Sequence, residues 1–215
     1  VDAAQSFFAL EDWRNKSHPP FAKWLIGASI HMFGDTSFAW RLPGAVLGAV
    51  CVSCVYALMR LLGFAEKPAV FAAGLTLLNQ TLFVQARTAM LDIYALAFLA
   101  LSVALFLWSA KVHRTRQGAV FGLVLSGVFL GLGASSKWMA GINFALILAG
   151  VFVWRAIEAR GNVFNALLGR NLTAWPSLSF LGAGLRQGCV AIVVYLLTFT
   201  PFLFMTGEDW TLIDL

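Results

Sequence analysis

Long apolar runs separated by short polar breaks dominate this chain. A polar leader, broken at Pro19 and Pro20, gives way to six runs at 42–62, 69–86, 90–110, 118–135, 138–154 and 187–204. Each is near the roughly 20 residues an α-helix needs to cross a bilayer's hydrocarbon. The pattern predicts an all-α, polytopic transmembrane helix bundle. Residues 1–41 form a loop with short amphipathic helices, 42–204 the six spans, and 205–215 the start of the next loop. The links around Arg87 to Met90 and at Ser136-Lys137 are only a few residues long. They force neighbouring spans to run antiparallel and gather the linking residues at one membrane face.

Composition agrees: 60% of residues are hydrophobic and 12% charged, with a mean hydropathy of +0.81, outside the soluble-domain range. Charge then orients the spans. One face collects nine Lys and Arg, among them Arg60, Lys111, Arg114, Arg155 and Arg186, against the two acids Glu66 and Glu158. The other collects six basic residues against eight acids, including Asp35, Asp92 and Glu208. The basic excess marks the first face as cytoplasmic and leaves the leader, Asp92 and Lys137 outside. Topology thus accounts for the net charge of +5, and no compact basic, aromatic-interleaved patch remains for nucleic acid.

Several features carry bland readings. Cys51 and Cys54 have C-x-x-C spacing but sit mid-span without βαβ context, so they read as packing. Gly44 with Gly48, Gly118 with Gly122 and Gly127 with Gly131 have the small-xxx-small spacing of close helix contacts. Asn171-Leu172-Thr173 is a formal glycosylation acceptor in a loop assigned to the cytoplasm, where it goes unused. The chain opens in a polar segment at Val1-Asp2 and is expected to be part of a longer protein.

Ionisable groups near the membrane are costly and point to function where they cluster. Arg87 and Asp92 bracket the turn between the second and third spans. Lys137 closes the turn between the fourth and fifth, and His18 and Lys23 lie in the leader, shaped by Pro19 and Pro20. Singly, each has a structural reading: Arg87 and Asp92 as a capping ion pair, Lys137 reaching to headgroups. Together, a carboxylate, an Arg and two Lys in one layer suit an anionic, phosphate-linked ligand.

Four motifs follow in order: His18-Pro19-Pro20-Phe21-Ala22-Lys23, Trp40-Arg41-Leu42-Pro43-Gly44, Ala86-Arg87-Thr88-Ala89-Met90-Leu91-Asp92 and Gly133-Ala134-Ser135-Ser136-Lys137-Trp138. This order resembles the protein O-mannosyltransferases, polytopic C-type glycosyltransferases that use a dolichyl- or polyprenyl-phosphate sugar. The resemblance implies an inverting enzyme moving a sugar, mannose in this family, from a polyprenyl-phosphate donor to a protein Ser/Thr hydroxyl. Transfer would occur at the outer face of a bacterial plasma membrane. Its partners would be the lipid-linked sugar, an acceptor protein or glycolipid, and membrane lipid. Arg87 matches the family's functional arginine, and Asp92 an acidic position that belongs to the active site in related lipid A sugar transferases. Lys23 and Lys137, with Arg87, match basic positions near the donor phosphate. His18, with Pro19 and Pro20, shapes the loop or meets substrate. The family's proposed base, in an Asp-Glu pair just before the stretch matching Val1-Asp2-Ala3-Ala4, is not in this chain, which would correspond to the second to seventh spans of a larger transferase. A divalent metal near Asp92 is compatible with the sequence, yet no His, Cys or carboxylate spacing demands one.

Two other readings compete. A lipid A or other envelope-glycan transferase keeps the chemistry and changes the acceptor, but such enzymes tend to carry Glu-Lys-Pro where this chain has Ser17-His18-Pro19. A transporter would put its charges near the bilayer midplane at broken helices, whereas these charges sit at span ends.

Overall fold

The leader folds first into two helices, α1 (Asp2–Phe8) and α2 (Phe21–Phe33). Five long apolar helices follow, each sufficient to cross a membrane: α3 (Ser37–Leu61), α6 (Leu91–Lys111), α7 (Arg116–Ala134), α8 (Met139–Glu158) and α10 (Phe180–Leu197). Between them lie α4 (Glu66–Leu77), α5 (Gln80–Arg87) and the short α9 (Val163–Leu168), and a 3₁₀ turn, Thr200–Phe204, extends α10. The computed structural model describes residues 1–10, 17–111, 115–169, 172 and 178–204. The acceptor residues Asn171 and Thr173, the basic residues Arg14, Lys16, Arg114 and Arg170, and the acids Glu11, Asp12, Glu208, Asp209 and Asp214 lie outside them. Among the described residues every regular element is helical, as expected of a multi-pass membrane protein.

The spans expected at 90–110, 118–135 and 138–154 coincide with the starts of α6, α7 and α8 to within two residues. Three others differ. The span at 42–62 begins five residues earlier, because Thr36 caps α3 by accepting a hydrogen bond from the Ala39 amide at 3.2 Å, a preferred N-cap arrangement. The span at 69–86 is two helices, α4 and α5, bent by 57°. The break falls at Asn79, whose side chain accepts from the Leu82 amide at 2.9 Å and starts a new helix. The span at 187–204 begins at Phe180, where Ser179 caps the helix by accepting from the Gly182 amide. Arg186, expected in the loop before this span, lies inside α10 and donates to the Gly182 carbonyl at 2.6 Å.

The motifs hold the bundle together. Pro43 lies inside α3 and cannot donate to the carbonyl four residues back. That carbonyl, on Ala39, instead accepts the Ser29 hydroxyl of α2 at 2.5 Å, tying leader to bundle. Gly44 and Gly48 seat Ala86 of α5: a methyl at Gly44 would lie 2.8 Å from the Ala86 carbonyl oxygen, and one at Gly48 2.9 Å from the Ala86 Cβ. Gly127 and Gly131 seat α10 on α7 in the same way. Inside the bundle, Ser102 and Ser126 exchange hydroxyl-to-carbonyl hydrogen bonds of 2.9 and 2.7 Å, and Gln187 of α10 donates to the Ser126 hydroxyl at 2.8 Å. All three side chains are fully buried, where an unpaired polar group would be costly. At the opposite end from Asp92, fully buried Arg155 of α8 donates to the carbonyls of Ala166 and Gly169 at 2.8 and 2.7 Å, latching α9. Cys51 and Cys54 are buried and unbonded.

Candidate functional site

The site is built where three of the motifs converge at one end of the bundle. Gly133 lets α6 approach the end of α7, since a methyl there would meet the Cβ atoms of Ala140 and Phe98 at 3.2 and 3.3 Å. The α7–α8 turn is held by three hydrogen bonds: the Ser135 and Ser136 hydroxyls donate to the Gly131 and Leu132 carbonyls at 2.7 and 2.9 Å, and the Lys137 amide to the Gly133 carbonyl at 3.0 Å. Both serine side chains are buried. Lys137 is thereby aimed across to α6, where its Nζ donates to Asp92 Oδ1 at 2.6 Å.

Asp92 lies in the first turn of α6, where the helix dipole favours an anion. The pair is not sealed from solvent: the side chains of Lys137 and Asp92 retain 28% and 36% of their surface. It opens into a cavity of about 270 Å³ lined also by Gln85, Ala95, Leu96, Leu99, Met139, Ala140 and Asn143. A charged mouth thus continues into an apolar groove between α6 and α8. Such a groove can take an amphipathic ligand with an anionic head and a hydrocarbon chain.

Arg87 ends α5, one residue beyond the Ala86 held by Gly44 and Gly48. Its guanidinium lies 5.0 Å from the Phe83 ring centroid, and the residue is exposed. Among the described residues it forms no ion pair with Asp92. The carboxylate takes Lys137 instead, because Ala89 turns the chain with a left-handed φ of 52° between the two helices. Arg87 is therefore left with its charge toward solvent beside the site.

The His-Pro-Pro segment docks on the same turn that carries Lys137. The Phe21 amide at the start of α2 donates to the Ser135 carbonyl at 2.9 Å, the Phe21 ring lies 5.6 Å from that of Phe98, and Pro19 and Pro20 are buried. Lys23 is only 3% exposed and donates to the His18 carbonyl at 3.1 Å. Burial lowers its pKa to about 8, so it stays mostly charged at neutral pH. Lys23 does not line the cavity, and His18 meets Lys23 through its backbone.

The structure thus brings Asp92 and Lys137 into contact, stations Arg87 at the end of the adjacent helix, and uses Lys23, Pro19 and Pro20 to fix the leader against the Lys137 turn. Gln85 and Asn143 line the same cavity but were not singled out from sequence. The available signal was a carboxamide within an apolar run, where a polar side chain at membrane depth needs a partner or a cavity. Asn143 donates to the Met139 carbonyl at 2.8 Å, leaving its amide oxygen available. Among the described residues no group of three or more His, Cys, Asp or Glu side chains converges to hold a metal ion.

Comparison with known proteins places these observations among relatives. Residues 3–201 match the family model described as dolichyl-phosphate-mannose-protein mannosyltransferase. The chain is 28% identical over 203 residues to a polyprenol-phosphate-mannose–protein mannosyltransferase of Mycobacterium tuberculosis (strain CDC 1551 / Oshkosh), covering 86% of this chain and 38% of that protein. It is 31% identical over 139 residues to the protein of the same name from Corynebacterium glutamicum, covering 56% of this chain and 27% of that protein. It is also 28% identical over 195 residues to protein O-mannosyl-transferase 1 of Danio rerio, covering 78% and 27% of the two chains. No solved structure matches the chain.

Proposed function

Because the chain belongs to the dolichyl-phosphate-mannose-protein mannosyltransferase family, we propose that it forms part of an enzyme moving mannose from a polyprenyl-phosphate donor to a Ser or Thr hydroxyl of a protein. The chain spans 38% of the M. tuberculosis relative, so the activity is that of the whole protein, to which these residues contribute. The observation that carries the reading is the 2.6 Å Lys137–Asp92 contact at the mouth of an apolar groove. It joins a cation suited to a phosphate with walls suited to a prenyl chain.

In the reaction the acceptor hydroxyl attacks the anomeric carbon from the face opposite the phosphate. The C1–O bond to phosphate breaks with its electron pair going to the phosphate oxygen, and the configuration inverts. Lys137 and Arg87 stabilise the negative charge gathering on that oxygen, a contribution typically worth several kcal/mol in a preorganised site. Lys23 adds positive potential from behind the leader turn. Asp92 holds the Lys137 ammonium in place with one oxygen and orients the incoming hydroxyl with the other. The hydroxyl proton passes to a carboxylate, which the resemblance assigns to the family's Asp-Glu pair rather than to residues 1–215. The basic excess on the opposite face supports an extracytoplasmic site, and the mycobacterial and corynebacterial relatives support a bacterial plasma membrane.

The test uses the full-length protein in membranes supplied with polyprenyl-phosphate mannose and a Ser/Thr-containing peptide. Mass spectrometry should find the peptide heavier by one hexose. Hexose found only on a glycolipid would favour the envelope-glycan reading. Movement of solute without any transfer would favour a transporter.

A further inference from the structure

A second cavity, of about 300 Å³, lies at the end of the bundle away from Asp92. It is bounded by Leu62 beyond α3, Phe106 to Lys111 of α6, and Ile147 to Arg155 of α8. Helix α6 is 21 residues long, about 31 Å at 1.5 Å per residue. Its two ends therefore reach opposite headgroup layers, with Asp92 at one and Lys111 at the other. The two cavities lie on opposite leaflets.

The walls of this second cavity are apolar, and Lys111 is the exposed charged group that lines it. Lys111, the last residue of α6, places its Nζ 5.8 Å from the Trp154 ring centroid. Arg155 is fully buried, with its guanidinium spent on the Ala166 and Gly169 carbonyls. No acidic residue lines the cavity, and Glu158 at the end of α8 interacts electrostatically with Arg155. Trp154 is exposed and stands at headgroup level, where amphipathic rings concentrate. The cleft continues between the helices past Gly150, where a methyl would meet nothing within 4 Å.

From this arrangement we infer that the cleft is a binding site for an anionic glycerophospholipid of the leaflet opposite Asp92. The phosphate pairs with the Lys111 ammonium over the Trp154 ring, and one acyl chain fills the cleft along Leu107, Ile147 and Gly150. Charge complementarity selects this occupant: the exposed Lys111 brings a positive charge to the cleft mouth that a zwitterionic lipid's net-neutral headgroup does not offset, and a protein helix would have to bury Lys111 against hydrocarbon. The lipid would brace the far halves of α6 and α8, whose near halves carry Asp92 and Lys137.

The test is native mass spectrometry of the full-length protein exchanged into phosphatidylcholine containing phosphatidylglycerol, for the wild type, Lys111→Ala and Gly150→Leu. The wild type should retain phosphatidylglycerol in preference to phosphatidylcholine. Lys111→Ala should weaken retention about fivefold, the contribution of one cation near a membrane surface. Gly150→Leu fills open space without meeting backbone, so it should remove the lipid while unfolding temperature in pure phosphatidylcholine stays near wild type. Equal retention of both lipids, retention unchanged in either variant, or no retained lipid because another span of the protein occupies the cleft would each overturn the inference.

Discussion

Removing the Lys137 ammonium separates the two things this residue does. In the structure it ties the α7–α8 turn to α6 through a 2.6 Å contact with Asp92, and both side chains are roughly a third exposed. Two unit charges 4 Å apart interact by about 4 kcal/mol at an effective dielectric of 20. Solvent screening and side-chain ordering bring exposed pairs down to about 0.2–1 kcal/mol. Lys137→Met should therefore cost the fold about 1 kcal/mol. If Lys137 also meets the departing phosphate, the barrier to transfer should rise by about 2.7–4 kcal/mol, a 10²–10³-fold loss. The assay is kcat/KM for transfer from polyprenyl-phosphate mannose to a peptide by purified full-length enzyme in nanodiscs. Rates are normalised to folded protein and paired with the unfolding temperature, for Lys137→Met, Asp92→Asn and the double variant. Asp92→Asn keeps the cation but loses both its charged tether and the carboxylate that orients the hydroxyl, so it should also lower kcat/KM well beyond threefold. Single variants within threefold of wild type in kcat/KM, or activity losses that merely follow lost folded protein, would refute the reasoning.

Three further outcomes are expected. Arg87→Lys keeps the charge but loses the planar fork that suits phosphate, so transfer should fall by about 10²–10³-fold with the unfolding temperature unchanged; steady-state kinetics beside a melting curve checks both. Ser29→Ala leaves the Ala39 carbonyl without the hydroxyl that replaces its lost helix partner, at about 1–3 kcal/mol. In a Pro43→Ala background the amide returns and that cost should shrink, which a double-mutant cycle of unfolding free energies measures. The Lys23 pKa is lowered by burial from its ordinary value to about 8, so between pH 8 and 10.5 the unfolded state binds more protons than the folded one and stability rises with pH. Wild type should gain unfolding temperature relative to Lys23→Met across that window, and a constant difference would contradict the burial.

Local signals in the sequence carried much of the fold. Apolar length alone located α6, α7 and α8 because each is an uninterrupted helix. The glycine pairs announced close approaches, and Gly44 with Gly48 and Gly127 with Gly131 make them. The break at Asn79 was also legible in principle: Asn-Gln-Thr in an apolar run is a helix-start signature, outweighed by hydropathy averaged over a longer window. What spacing could not supply was partnership between distant segments. Nothing local tells that the Phe21 amide seeks the Ser135 carbonyl, or that Ser29 replaces the donor missing at Pro43. The same holds at the site. Arg87 and Asp92, five positions apart, look like natural partners, yet the left-handed turn at Ala89 separates them and Asp92 meets Lys137, 45 residues away. Gln85 and Asn143 were overlooked because single amides in apolar runs acquire meaning only when a cavity opens beside them.

The central claim is that the Asp92–Lys137 end of the bundle holds a lipid-linked phosphate with its chain in the groove between α6 and α8. The most direct measurement is photolabelling of the full-length enzyme with a polyprenyl phosphate carrying a diazirine on its first isoprene units, followed by peptide mapping. The account expects adducts on α6 around Leu96 and Leu99 and on α8 around Met139 to Asn143, competed by unlabelled polyprenyl phosphate and lost in Lys137→Met. Adducts confined to other spans, or labelling of this groove indifferent to competitor and to Lys137, would contradict it.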